Sequence, residues 1–160
     1  MLKKTSIILI ILALIASGCG TSKQIKTTKT SQSYRITNAD VEKHCKKFIE
    51  CIMSGKLKKS LAYFAPEYVK KQHDGFLNGR TNQFLREFLA GMSITENMYI
   101  VPENLTDIEV IKIKETRITP DINEANAIFE IKLITGKTYS VEVLLLIERA
   151  NKLYFWGAMG

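Results

Sequence analysis

The sequence has few of the residues that build reactive sites. Its 160 residues include three cysteines, two histidines, three prolines and one tryptophan. Three cysteines cannot staple a fold, and two histidines leave little for a metal site. The chain also lacks the HExxH, CxxC, GxGxxG, Walker A and GxSxG patterns, so no motif supports metal, dinucleotide or acyl-transfer chemistry. We therefore expect no metal and no cofactor.

Excess charge of one sign is missing beyond the N-terminal segment. The formal net charge is +7, yet residues 38–160 hold 17 basic and 16 acidic residues. A nucleic-acid-binding domain needs a basic face of its own to displace counterions, so this nearly neutral body argues against nucleic acid as a partner. With 24% charged residues the chain is also not a multi-span membrane protein.

Long apolar runs are missing apart from one of ten residues, Ile7 to Ala16. Ten helical residues span about 15 Å, half of a hydrocarbon core of about 30 Å, which indicates the apolar region of a signal peptide. Two lysines precede the run, and Ser17-Gly18-Cys19 follows it. This order and spacing resembles a bacterial lipoprotein signal peptide, with Cys19 as the last residue of the lipobox. An ordinary secretory signal with a coincidental cysteine is the alternative.

The resemblance implies diacylglyceryl transfer to the Cys19 sulfur, cleavage between Gly18 and Cys19, and acylation of the new amino group. Two or three acyl chains give a stable membrane anchor. Residues 20–36 are polar and predict a flexible basic tether with a reach of roughly 20–25 Å. We expect a signal peptide over 1–18, the lipidated cysteine and tether over 19–36, and one domain over 37–160. The expected location is the bacterial cell envelope, lipid-anchored and facing the periplasm.

Helices are predicted to open the domain. Thr37, with Asp40 three residues later, forms a capping-box-like start, and Gly55 supplies the stop. Apolar residues at helical spacing between them predict one buried stripe. Its members are Val41, Cys45, Phe48, Ile49, Ile52 and Met53. Further helices are predicted over 58–64, over 66–72 and from a Thr81 cap to Gly91, with a loop around Gly75 and Gly79 before the last.

Strands are predicted after residue 91, where the apolar period changes to two. They cover 108–118, 125–133, 139–147 and 153–158. The inward faces of the second and third strands coincide only if their loop has an odd number of residues. We therefore predict the three-residue loop Thr135–Lys137 with Gly136 near left-handed geometry, which places Ile128 opposite Leu144. The order predicts an α+β fold, with N-terminal helices packed on a curved antiparallel sheet of three to four or more strands.

The domain resembles the nuclear transport factor two-like superfamily, in which a helix-backed curved sheet forms a cone. The resemblance rests on the capped first helix, the stretch from Leu61 to Tyr68, and closing strands that carry Trp156. A cystatin-like single helix across a sheet is the nearest alternative. The resemblance implies a non-catalytic binding module, or else an isomerase- or dehydratase-like enzyme with an acid/base residue inside the cone. Inward strand positions include Tyr139 but no carboxylate, which favours the binding module.

The candidate polar site is the adjacent pair His73 and Asp74. Together with Arg80 and Tyr68, these residues are predicted to form an acid/base or anion-binding cluster at the mouth of the cone. A local turn stabiliser is the simpler interpretation. Two cysteines six residues apart on the first helix cannot reach each other, so Cys45 and Cys51 are expected to be free thiols.

The candidate interface is apolar. Alternation fails over 143–147, so Leu144 and Leu146 must lie on the face of the sheet away from the helices, and Ile128 extends that patch. Exposed apolar clusters of this kind mark interfaces. A second copy of the chain is the first expected occupant, and another envelope protein or the segment 92–106 is the next. The other expected partners are the bilayer, through acylated Cys19, and a small apolar ligand.

Overall fold

The computed structural model describes residues 35–91, 102–148 and 151–160, which belong to a unit running from Tyr34 to Gly160. The leader, Gly18, Cys19 and residues 20–34 of the tether lie outside the described residues, so their predicted roles and the predicted domain boundaries stay predictions. Ile36, predicted as the last tether residue, is buried in the core. Within the described ranges, no helix combines the length and the apolarity needed to cross a bilayer.

The first helix, α1 (Asn38–Met53), begins at the predicted capping box. The Asp40 N–H donates to the Thr37 hydroxyl oxygen at 3.3 Å, and the Thr37 N–H donates to the Asp40 carboxylate at 2.9 Å. The stripe is buried at Val41, Cys45, Phe48 and Ile52. Met53 is 45% exposed, so its place in the stripe was wrong. It is the last residue of the helix and lies about 100° round the axis from its buried neighbour.

Four short helical segments follow α1. The predicted helix over 58–64 is α2 (Leu57–Ser60), tightened at its end into a 3₁₀ turn over Leu61–Tyr63. Helix α3 (Pro66–Tyr68) begins at its proline. Proline suits this position because the N–H of a first helical residue has no partner within the helix, and proline has no N–H to leave unpaired. It continues directly as a π-helix over Val69–Phe76. Gly75 therefore lies within a helix, where the sequence had predicted a loop.

Helix α4 (Thr81–Leu89) buries the predicted residues Phe84, Leu85, Phe88 and Leu89. It ends before Gly91, whose φ of +76° favours glycine. The predicted Thr81 cap was wrong, because Arg80 is the capping residue and makes no side-chain capping bond. The Thr81 hydroxyl instead bonds to a histidine on the preceding π-helix.

The helices pack on a four-stranded antiparallel sheet of order β1-β2-β3-β4. The strands are β1 (Ile108–Thr119), β2 (Glu124–Leu133), β3 (Thr138–Glu148) and β4 (Lys152–Met159). Short 3₁₀ turns over Leu105–Asp107 and Pro120–Ile122 flank β1. The alternating residues of β2 and β3 that face the helices are buried, as predicted. They are Ala125, Ala127, Phe129, Ile131, Leu133, Tyr139, Val141, Val143 and Leu145.

The β2–β3 hairpin confirms the odd loop and corrects its position. Gly136 has a φ of +82°, and Ile131 lies opposite Tyr139. The Leu133 N–H donates to the Lys137 carbonyl at 2.8 Å, so the three loop residues are 134–136. The one-residue displacement places Ile128 opposite Glu142, not opposite Leu144 as predicted. Parity is unchanged, so the same side chains still face the helices.

Candidate functional site

The polar site that the structure assembles is centred on His73, which is 7% exposed. Its ring Nδ1 lies 2.6 Å from the Asp74 carboxylate and its Nε2 lies 2.9 Å from the Thr81 hydroxyl. A carboxylate only accepts, so Nδ1 carries a proton. The other ring nitrogen, Nε2, shares the second hydrogen bond with the Thr81 hydroxyl. A hydroxyl, an imidazole and a carboxylate thus stand in one hydrogen-bonded row.

The π-helix puts His73 in this place. The Leu77 N–H donates to the Gln72 carbonyl, five residues earlier, at 3.1 Å, and the Gly79 N–H donates to the His73 carbonyl at 2.8 Å. These bonds turn the chain back so that the first residue of α4 meets the histidine. The ring also packs edge-on against Phe84, with centroids 5.6 Å apart. Wide helical turns of this kind are rare and frequently occur at functional sites.

The other two predicted members of the cluster make the following contacts. The Arg80 Nε–H donates to the Leu77 carbonyl at 3.0 Å on the exposed surface. The Tyr68 ring stacks on Phe64 and reaches Phe84, at a centroid distance of 5.8 Å. Burial, and then the charge of Glu87, raises the Tyr68 pKa. Of the four predicted residues, His73 and Asp74 are joined by a hydrogen bond. The sequence analysis missed Thr81 because it assigned that residue to a helix cap.

A small pocket lies beside this site. Its lining residues are Tyr68, Gln72, Leu77, Phe84, Glu87 and Phe88. The free space within it is about 10 Å³, room for about one water molecule. Sites for small organic ligands occupy about 300–1,000 Å³. This pocket therefore does not accommodate an apolar ligand of ordinary size.

The inward face of the sheet offers one polar side chain among the described residues of β2 and β3. It is Tyr139, whose hydroxyl donates to the Leu89 carbonyl at 3.0 Å. Burial raises the pKa of this phenol. The hydrogen bond of this hydroxyl connects the sheet to α4. Because its pKa is raised, the hydroxyl is a poor acid at neutral pH. Within the described ranges, no three His, Cys, Asp or Glu side chains converge as a metal site requires.

The second histidine, His44, lies on α1 at the edge of the buried stripe. Its Nε2 is buried without a hydrogen-bond partner, and its ring contacts Tyr63 and Phe155 at centroid distances of 5.2 and 5.0 Å. Burial lowers its pKa from 6.5 to about 4. On the same helix, burial raises the pKa of the Cys45 thiol to about 12, which makes the thiol unreactive. Cys51 is half-buried, and both thiols are free.

The outward face of the sheet divides into a polar and an apolar part. Ion pairs and hydrogen bonds connect the polar part, such as Lys114 with Glu130 at 2.7 Å and Asn126 with Glu142 at 2.6 Å. The apolar part, here called the outer patch, includes two of the three predicted interface residues. Its members are Leu144, Leu146, Tyr154, Trp156 and Met159. The third, Ile128, lies between Glu115 and Glu142 and was wrongly expected to extend the patch.

The outer patch follows from the pairing of β3 with β4. Leu146 lies opposite Tyr154, and Leu144 lies opposite Gly157. A bulge between Leu144 and Leu145 interrupts this pairing. Trp156 is 39% exposed. The last two strands therefore present a continuous apolar surface on the side away from the helices.

Comparisons with known proteins do not assign the chain to a family. No family model and no curated protein matches it. Among solved structures, an iota-carbonic anhydrase from a cyanobacterium, in complex with bicarbonate, is similar over 77% of this chain and 90% of its own. The sequence identity is 17% and the TM-score 0.36. A likeness at that level carries no argument about fold or function, so the α+β architecture rests on the elements described above.

Proposed function

We propose that the chain is a lipid-anchored protein of the bacterial cell envelope whose domain binds another macromolecule. The proposed lipid anchor is supported by the order of three sequence features: a basic start, a ten-residue apolar run and Ala16-Ser17-Gly18-Cys19. The run is too short to remain in the bilayer as a span, whereas acyl chains on Cys19 would hold the protein there. Attachment facing the periplasm follows from this anchor.

The domain itself favours binding over catalysis. Its sheet faces the helices with packed apolar side chains, and the inward Tyr139 hydroxyl is bonded to backbone. The pocket beside His73 has room for about one water molecule. We favour a protein partner over a small apolar ligand, because the outer patch is an extended apolar surface. Helices followed by a meander of four antiparallel strands are consistent with the nuclear transport factor two-like fold, which we retain as part of the proposal.

An isomerase- or dehydratase-like enzyme is the second candidate, and one observation favours it. The row of Thr81, His73 and Asp74 orders a hydroxyl, an imidazole and a carboxylate as an acid/base site would. The same bonds also satisfy a buried histidine, which needs a partner on each ring nitrogen. With so little free space beside the row, the binding module accounts for the domain better.

The anchor is tested by replacing Cys19 with serine. The hydroxyl cannot accept the diacylglyceryl group as a thioether, so the variant is expected to accumulate as an uncleaved, non-lipidated precursor. Gel mobility and mass spectrometry of the purified protein measure both properties. Cys51→Ser is the matched control and should be processed like the wild type. Normal cleavage and normal membrane partition of the Cys19→Ser variant would rule out the lipoprotein proposal.

The outer patch supports self-association as the first mode of binding. A two-fold axis through such a surface would bring Leu144 and Leu146 of one copy against the same residues of the other. Some charges in the polar part of the face are paired within the chain, as between Lys114 and Glu130. Another envelope protein is the alternative occupant.

Self-association is tested by sedimentation of the domain from residue 35. The wild type is expected to be a dimer, and Leu144→Lys combined with Leu146→Glu should yield a folded monomer, because two charges would be buried at the interface. Lys112→Glu changes the same face outside the outer patch and should leave the dimer intact. A wild-type monomer at every accessible concentration would contradict the proposal.

A further inference from the structure

The charges of the domain are divided between its helical and sheet parts. Residues 38–91 hold ten basic and six acidic residues, whereas residues 102–160 hold seven basic and nine acidic residues. In the sheet three of the basic side chains form ion pairs. The ion pairs join Lys114 to Glu130, Lys132 to Glu109 and Arg117 to Glu115. The helical part therefore carries the net positive charge of the domain.

Eight lysines of the helical part are all exposed. They are Lys43, Lys46, Lys47, Lys56, Lys58, Lys59, Lys70 and Lys71. Within the described part of the chain, Lys46 is the one member of this set that forms an ion pair, with Glu42 at 2.6 Å. We call this set the basic helical surface. The other seven lysines form no ion pair with a described residue.

The acids of the helical part are mostly committed to local contacts. Asp40 caps α1, Glu42 pairs with Lys46, Asp74 bonds His73, and Glu87 accepts from the Gln83 amide at 2.8 Å. The other two, Glu50 and Glu67, are exposed, and ten basic residues against six acidic ones leave the helical part with a net positive charge. The exposed lysines are thus left to attract an anionic partner from outside the domain.

We propose that the basic helical surface docks on the anionic lipid headgroups of the membrane that anchors the chain. This inference rests on the proposed lipid anchor, because a tether over residues 20–36 would hold the domain within roughly 20–25 Å of the bilayer. Juxtamembrane lysines are attracted to anionic headgroups within about one Debye length. The bilayer is then the anionic surface that the domain meets at the highest local concentration.

Two exposed apolar side chains fit the same partner. Phe76, 68% exposed, ends the π-helix that also carries Lys70 and Lys71, and Met53, 45% exposed, ends α1 three residues before Lys56. Apolar side chains beside lysines suit the boundary between headgroups and acyl chains. Docking through the helices would turn the opposite side of the domain, with the outer patch, toward a partner in the aqueous compartment.

The test is amine footprinting of the lipidated full chain in vesicles. Vesicles of phosphatidylcholine alone are compared with vesicles containing about 30% phosphatidylglycerol, at low salt and at about 0.5 M KCl. On anionic vesicles at low salt, acylation of the basic helical surface is expected to slow by about threefold or more and to recover at high salt. Lys112 and Lys152, exposed on the sheet, serve as internal controls with unchanged rates.

Charge reversal separates docking from general shielding. Lys58→Glu with Lys59→Glu should restore fast acylation at the remaining helical lysines on anionic vesicles. Lys112→Glu with Lys152→Glu should have no such effect. Equal rates on both vesicles, or equal slowing at Lys112 and Lys152, would overturn the docking proposal. Flotation at high salt reports the anchor alone: a chain that fails to float lacks the anchor, whereas one that floats with uniform acylation lacks only the docking.

Discussion

Phe48→Ala is expected to lower the free energy of unfolding by about 3–5 kcal/mol, enough to remove much of the stability of a small domain. The Phe48 side chain is fully buried on α1. It lies at the centre of an aromatic cluster formed by both layers, with ring centroids 4.8–6.5 Å away. Its ring partners are Tyr63, Phe64, Phe88, Phe129 and Phe155. The truncation leaves a cavity that these rigid rings fill poorly.

Urea denaturation of the two proteins measures the effect, and Phe76→Ala is the matched control. The Phe76 side chain is 68% exposed, so the same chemical truncation should change the free energy of unfolding by less than about 0.5 kcal/mol. Similar losses for both variants would show that the cost does not come from the cluster. A loss at Phe48 within experimental error would contradict the packing of α1 on the sheet.

The parts of the fold that local patterns determine were predictable from the sequence. The capping box of α1 depends on two residues three positions apart, and both bonds form as expected. The buried stripe of α1 and the buried alternation of β2 and β3 follow from helical and strand periods. Parity also made the hairpin loop odd in length. These features need no knowledge of where distant residues lie.

The errors arose where a distant contact decides the local geometry. Thr81 had the composition of a cap, but its hydroxyl bonds His73, eight residues earlier. The π-helix over Val69–Phe76 has no period that the sequence reveals, because its wide turn depends on the contacts that α4 makes with it. The one-residue displacement of the β2–β3 loop preserves parity, so the apolar pattern could not exclude it.

The candidate site was predictable only in part for the same reason. Adjacency along the chain brought His73 and Asp74 together, and their 2.6 Å contact needs no tertiary information. Arg80 and Tyr68 were grouped with them by sequence proximity, yet the turn directs Arg80 to the Leu77 carbonyl. The unpartnered His44 nitrogen gave no sequence signal beyond its position beside Cys45 at the edge of the stripe.

Acidification is expected to destabilise the domain through His44. Burial holds its folded-state pKa at about 4, below the 6.5 of an accessible histidine. Between these values the unfolded chain binds a proton that the folded chain does not. The stability contribution is therefore complete above pH 6.5 and is lost as the pH falls toward 4. The loss is about 1.4 kcal/mol per pH unit, roughly 2 kcal/mol by pH 5 and up to about 3 kcal/mol by pH 4.

His44→Phe should remove this dependence. The variant ring keeps the aromatic contacts with Tyr63 and Phe155 and has no group to protonate. Urea denaturation of both proteins between pH 7.5 and pH 5, above the range in which most carboxylates titrate, isolates the histidine. The wild type should lose roughly 2 kcal/mol more than the variant over that interval. Parallel pH curves for the two proteins would mean that the His44 ring reaches water and takes its proton without cost to the fold.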